Sequence, residues 1–420
     1  MASSTQQLID IVRANRDSGR GGVTSVCTAH PIAIEAALSL ARERGQLALV
    51  EATCNQVNQY GGYTGMLPAD FVRLVRDAGG DPSTTVLGGD HLGPQPWRGG
   101  AAEDAMAKAE AMVADYVRAG FTKIHLDCSM RCADDPEILD EATIAARAAR
   151  LARVAESVRG DAQDVCYVVG TEVPPPGGMG AGHAIAPTAP EAVLETVELH
   201  RRAFAQASVA EAFERVIAVV VQPGVEFGNE EIVHFDARSA RPLADAVAAL
   251  PGLAYEAHST DYQRPEAYAA LVRAHFAILK VGPAATFALR EMLFALEAIE
   301  AELVATDDRS GLSATLETVM LDSPGQWQGH YDGDAATQRY LRRFSFSDRV
   351  RYYWSAPPVA RAVSMLMHNL SRPLPLPLIS QFVPQLYDAI RTGAVAADPT
   401  SLCRANVRAA LVPYADATAT

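Results

Sequence analysis

The sequence predicts a (β/α)8 barrel of the TIM type followed by a helical C-terminal extension. Three observations predict it. Short apolar runs alternate with Ala-rich amphipathic segments, which is the pattern of a parallel sheet. The runs number eight, as a closed barrel needs, and polar residues collect where they end, the rim at which such barrels do chemistry.

The eight runs are Gly22 to Cys27, Gln46 to Ala52, Thr85 to Gly89, Thr122 to Asp127, Val165 to Thr171, Arg215 to Gln222, Ala254 to His258 and Ala277 to Val281. Helices are expected over Pro31 to Arg44, Ala101 to Ala119, Ala142 to Val158, Pro190 to Glu214 and Pro265 to His275, with Glu and Arg on their outer faces. Thr286 to Ala305 reads as the eighth helix, so the barrel is expected to span residues 1–305. A doubly wound open sheet is the rival, but no Gly-rich dinucleotide fingerprint follows an early strand.

Residues 306–420, rich in Tyr, Trp, Arg and Pro, show no further strand-helix repeat. They read as helical decoration that packs on the barrel, reaches its mouth or makes oligomer contacts. The run Arg339, Arg342, Arg343, Arg349 and Arg351 reads most simply as a solvated helical face, with anion binding as the alternative.

Composition narrows the function. Of 420 residues 49% are hydrophobic and 20% charged, ample for a buried core and unlike a disordered chain. A net charge of -14 repels phosphate backbones and anionic lipid, so no nucleic-acid or membrane partner is expected. Six scattered cysteines without CxxC spacing read as reduced thiols, and the apolar stretches are strand-sized. A cytoplasmic protein without signal peptide or membrane span is expected.

The strand ends are unusually polar. Run two ends in Glu51 with Asn55, Gln56, Asn58 and Gln59 behind it, run three in Asp90 and His91, and run four in His125 and Asp127. Run five ends in Glu172, run six in Gln222 and Glu226, run seven in His258, Ser259, Thr260 and Asp261, and run eight in Lys280. His91, Glu226 and His258 come from three strand ends that can converge, and two imidazoles plus a carboxylate suit a divalent metal with an open coordination position. Zinc is the first expectation, manganese the second. Asp90, next to His91, is placed for acid/base work on a metal-bound substrate; the plainer role is capping the loop or orienting a neighbour.

Glu51, Asp127 and Glu172 are each open to supporting the ligands, carrying a proton or pairing with Lys280. Glu172 stands out because it precedes the Gly/Pro-rich stretch VPPPGGMGAGH, which reads as a loop over the mouth and lacks the Lys and Ser/Thr of a nucleotide loop. A second loop, Asn55 to Met66, carries amides and tyrosines able to bind a polyol, or simply closes the mouth. The loops after runs seven and eight, with Ser259, Asp261 and Gly282, are where a barrel of this kind can hold an anion.

The segments CTAHPIAIEAAL, EATCNQVNQYGGYTGM, GGDHLGPQPW, HLDCSM, GTEVPPPGG and RYYW resemble the GatZ/KbaZ family, the second subunit of D-tagatose-1,6-bisphosphate aldolase, over nearly the whole chain. That family is related to class II, metal-dependent ketose-bisphosphate aldolases, which are (β/α)8 barrels. By this resemblance Asp90 looks like their catalytic Asp, His91 and His258 like zinc-ligating histidines, and Glu172 like the carboxylate near their mobile loop. One departure stands out: the aldolases carry a third histidine after strand six, where this chain has Glu226.

The resemblance implies a ketose or ketose phosphate substrate. It leaves three activities open: retro-aldol cleavage of C3–C4, metal-dependent 4-epimerisation of a ketohexose or its phosphate, and a non-catalytic role stabilising a GatY/KbaY-type aldolase subunit. A homo-oligomer is expected. An older label of tagatose-6-phosphate kinase in the family finds no kinase signature here.

Overall fold

Eight strands pair in parallel until the last meets the first. The computed structural model describes residues 2–160, 164–170 and 185–419. In chain order its strands are β1 (Val23–Cys27), β2 (Ala48–Thr53), β3 (Thr85–Leu92), β4 (Lys123–Leu126), β5 (Cys166–Gly170), β6 (Val216–Val220), a small antiparallel pair β7 (Glu226–Phe227) and β8 (Ile232–Val233), then β9 (Ala254–Ala257) and β10 (Phe276–Val281). The closed order β1-β10-β9-β6-β5-β4-β3-β2 makes this a (β/α)8 barrel, with β7 and β8 set apart.

Helix α1 (Ser4–Ser18) precedes the barrel. The helices after the eight barrel strands are α2 (Pro31–Arg44), α3 (Pro68–Asp77), α4 (Ala102–Ala119), α5 (Glu141–Val158), α6 (Pro190–Gln206) with the short α7 (Ala210–Phe213), α8 (Arg241–Ala246), α9 (Pro265–Arg273) and α10 (Pro283–Leu303). Local chemistry sets their ends: Asp140 accepts the Thr143 amide at the head of α5, and Gly45, with φ of 62°, closes α2 in the left-handed conformation.

Helix α1, unassigned by the sequence reading, plugs the N-terminal end of the barrel. Its Leu8, Ile9 and Val12 join an apolar cluster with Val23, Leu49, Val86, Cys166, Val168 and Ile278 from the strands. Its Asn15 donates to the carbonyls of Gly21 and Val272, which fixes the plug to both β1's approach and α9.

Strand β3 runs to Leu92, three residues beyond the expected Gly89, so Asp90 and His91 lie within it. Pairing with β4 shifts between Gly89 and Leu92, and His91 has φ of 48°. This local irregularity turns one side chain after another toward the mouth, a common use of bulges beside functional sites.

The extension holds α11 (Leu312–Asp322), α12 (Ala335–Phe344), α13 (Pro357–Asn369), α14 (Leu376–Phe382), α15 (Tyr387–Arg391) and α16 (Pro399–Thr418). Helix α16 packs against α2, α9 and α10, with Arg404 paired to Glu35 at 2.6 Å and Asn406 bonded to the Ala288 carbonyl at 2.7 Å. The arginine run is no uniform solvated face, because Arg342 and Arg349 are buried. All six cysteines are free thiols, and among the described residues no helix is long and apolar enough to cross a membrane.

Candidate active site

Alternation along a strand sends every second side chain into the barrel, so a Lys-x-His on β4 and a Glu-x-His running off β9 each deliver two polar groups to the interior. The first members form a lower layer. Lys123 is fully buried and its Nζ lies 2.7 Å from Glu51 Oε1 of β2 and 2.8 Å from Glu256 Oε2 of β9, a bridge across the barrel. Lys280 of β10 pairs with Glu51 at 3.1 Å and with Asp90, while Ser25 donates to Glu51 at 2.7 Å. Gly88 makes this possible: a Cβ there would meet Glu51 Oε1 at 2.2 Å.

The upper layer is a cluster of imidazoles. Ring centroids of His91, His125 and His258 are separated by 4.9, 4.8 and 5.3 Å. With Asp90 they offer ligand atoms that all lie within 4.8 Å of one another.

The partners assign the tautomers. His91 Nδ1 faces Asp127 Oδ2 at 2.8 Å, His125 Nε2 faces the Gly170 carbonyl at 3.0 Å, and His258 Nε2 faces Glu256 Oε1 at 2.9 Å. Each acceptor takes one N–H, which leaves His91 Nε2, His125 Nδ1 and His258 Nδ1 as the other ring nitrogens, and of these His125 Nδ1 accepts the His91 backbone N–H at 3.2 Å. Asp90 sits among them, Oδ1 at 2.9 Å from His125 Nδ1 and Oδ2 at 3.6 Å from His91 Nε2. A carboxylate facing these ring nitrogens at that range calls for a proton or a cation between them. Carboxylates or carbonyls on the far nitrogens are what orient histidines in metal sites. The donor set therefore fits a divalent ion.

Electrostatics follow from burial and these neighbours. Burial works against Asp90's charge, but His91 and Lys280, then His125 and His258, hold its carboxyl well below the usual range. Burial likewise opposes the Lys280 ammonium, yet Asp90 and Glu51 push it well above the usual lysine value. His258 is driven the other way by burial and by Lys280, which keep the ring neutral and able to ligate.

The remaining expected residues divide. Asp127 supports His91 and also accepts from Ser129 Oγ at 2.6 Å. Glu51 and Lys280 belong to the lower layer. Glu226 is buried on β7 and accepts from Ser259 Oγ at 3.2 Å; it stands beside the four-residue group rather than in it. Gln222 spends its Oε1 on the amides of Gly224 and Val225, a turn of the backbone. Gln56 lines the rim, accepting the Thr53 amide, whereas the Asn55 side chain is exposed. Asp261 accepts the amides of Gly282 and Ala284 at 3.1 and 2.8 Å, so the expected anion cradle at the head of α10 is filled from within. Glu172 and the glycine-rich stretch after it lie outside the described residues.

Three contributors escaped the expected set: His125, read only as a strand end, and Lys123 and Glu256. The signal was present as a charged residue two places before a histidine, in KIHL and in AYEAH.

Residues 8–419 match the family described as D-tagatose-1,6-bisphosphate aldolase subunit GatZ/KbaZ-like. The chain belongs to the GatZ/KbaZ-like family. Within reach of this family lies a protein of Agrobacterium fabrum (strain C58 / ATCC 33970) named D-tagatose 6-phosphate 4-epimerase, 48% identical over 424 residues, covering 99% of each chain. A crystal structure described as a probable tagatose 6 phosphate kinase from Sinorhizobium meliloti 1021 superposes with a TM-score of 0.87 at 48% identity, covering 94% of this chain and 100% of that one. This GatZ/KbaZ-like chain thus has relatives with differing names on one architecture.

Proposed function

We propose that the protein is a metal-dependent 4-epimerase of a ketohexose phosphate, with tagatose 6-phosphate as the first substrate to try. The observation that carries this reading is the joining of a metal-fit imidazole cluster to a charged carboxylate, Asp90, at the mouth of a barrel. The near-full-length relative named for this reaction supports the choice of epimerase over aldolase.

His91, His125 and His258 would hold the ion, with Glu226 the nearby carboxylate in reserve and zinc or manganese the candidates. A divalent ion there supplies Lewis-acid polarisation of the ketose C2 carbonyl. Asp90 accepts the C4 hydroxyl proton; the C3–C4 bond breaks, its electron pair passing into a C2–C3 enediolate and C4 becoming an aldehyde. Lys280, held by Asp90 and Glu51, keeps positive charge beside the developing oxyanion. Turning the aldehyde over and re-forming the bond, with Asp90 returning its proton, inverts C4. Glu172 is retained as a second proton carrier. Early escape of the aldehyde would make the same residues an aldolase.

The test is product analysis of the purified chain with zinc or manganese, given tagatose 6-phosphate, tagatose 1,6-bisphosphate or the free ketoses, beside a chelated control. A C4 epimer without trioses, lost on chelation, is the expected result. Chelator-sensitive trioses would replace the epimerase with an aldolase. Activity appearing only with an added GatY/KbaY-type subunit would make the chain an accessory partner.

A further inference from the structure

The turn Arg349–Tyr352 of the extension lies over the barrel mouth. Asp348 anchors it: its carboxylate takes Arg290 Nε at 2.8 Å and Thr286 Oγ1 at 2.6 Å, both from α10, the helix that follows the last barrel strand. Tyr352 packs edge-on against Tyr63 of the loop after β2, with centroids 4.7 Å apart. Arg351 Nη2 donates to the Tyr352 hydroxyl at 2.9 Å, and its guanidinium carbon stands 4.5 Å from that ring. The Arg351 charge is felt by Tyr63 and by Asp261, on the loop after β9. Tyr63 and Asp261 stand on the loops after β2 and β9, the strands that flank β1 and β10 in the barrel. Tyr63 bonds to Gln56, whose Oε1 lies 3.8 Å from Cys27 Sγ, and Cys27 Sγ is 3.6 Å from Asp90.

Two features of this arginine pair set it apart. The buried Arg290 and Arg342 have acids, Asp348 and Glu317. Among the described residues Arg349 and Arg351 form no ion pair. Arg351 donates to the carbonyls of Ser347 and Asp348 and to Tyr352, and Arg349 Nη1 donates to the Gln326 carbonyl at 2.6 Å. Arg349 is 8% exposed, and its Nε has no partner. Arg349 is withdrawn from water with no acid beside it, and the half-buried Arg351 feels the charge of Asp348 and Asp261 without pairing with either, so both guanidiniums keep capacity for an anion. The barrel's own anion cradle cannot meet it, because Asp261 occupies those amides.

We infer that Arg351, backed by Arg349, receives the phosphate monoester of the sugar substrate, so that the C-terminal extension completes the active site. The sugar part of this inference rests on the proposed epimerase function; the phosphate part stands on the arginines alone. Guanidinium forks match phosphate oxygens, and an aromatic face on Tyr352 holds the fork in place.

The test titrates inorganic phosphate into the full-length protein by calorimetry and measures KM and kcat for tagatose 6-phosphate. Saturable phosphate binding is expected in the parent, weakened about tenfold in Arg351→Met and only partly recovered in Arg351→Lys, which keeps the charge and loses the fork, with KM rising about tenfold in Arg351→Met and kcat changing less. Arg349→Met, read the same way, covers the case in which Arg351→Met does not fold. No saturable binding by the parent, or phosphate affinity within about twofold of it in the folded Met variants, overturns the inference. A chain that turns over no sugar but binds phosphate through Arg351 keeps the site and loses the epimerase; unchanged phosphate binding beside intact turnover does the reverse.

Discussion

The two ends of the barrel interior are built on the same strands and differ in everything else. At the N-terminal end Val23, Leu49, Val86, Cys166 and Ile278 meet Leu8, Ile9 and Val12 of α1 in a dry apolar cluster. One alternation step further along, Ser25, Glu51, Lys123, Glu256 and Lys280 replace them with charge, and beyond these come Asp90 and three histidines. A shift of two residues along a strand thus separates a region that stabilises from one that reacts. The charged layer tolerates burial because each ion has an opposite neighbour, and its cost is carried by the apolar layer below.

The sharpest way to break this division is Asp90→Asn. It should lower kcat by about 10^2 to 10^4-fold while the fold holds, measured as turnover against thermal melting. Next comes Lys123→Met, which leaves Glu51 and Glu256 facing each other without their shared cation; a loss of about 3–5 kcal/mol in chemical denaturation is expected. A smaller effect, about 2–5 kcal/mol, is expected from Leu8→Ala, since Leu8 is 0% exposed in the plug. Its kcat should equal that of the parent, and a tenfold drop there would show that the two ends are not separable.

The smallest effect concerns pH. Burial raises the Asp261 carboxyl to about 6, against opposing bonds from the Ala284 and Gly282 amides. The folded chain then holds this proton where the unfolded chain has released it, so stability falls as pH rises from about 4 to 6, by at most about 3 kcal/mol. Asp261→Asn keeps an oxygen for the amides and should flatten that slope; an unchanged slope would assign it to other groups.

Much of this was legible in the sequence. Eight apolar runs announced the barrel, and Asp90, His91 and His258 were readable because they follow such runs directly. What was hidden had physical reasons. Lys123 and Glu256 sit inside strands, where a charge normally argues against burial, and only their mutual pairing across the barrel explains them. Helix α1 shows few signs of a plug, since Leu8, Ile9 and Val12 make only a narrow apolar stripe. Arg349 and Arg351 looked like surface charge because nothing local reveals which part of the barrel a distant turn will cover. Glu226 was expected at a barrel strand's end, but it belongs to β7, outside the barrel.

Helix α16 has a consequence for how the barrel is closed. Its Thr418 carbonyl accepts the Gly22 amide at 3.1 Å, and its side lies against both α2 and α10, the first and last helices of the ring. A helix far beyond the barrel in sequence therefore covers the junction between the first and last barrel strands. A chain lacking residues 399–418 can pair its strands but leaves that junction bare, with Leu40 and Leu289 among the apolar groups near it. A chain cut short there exposes the seam of its barrel and is one for chaperones and proteases to handle.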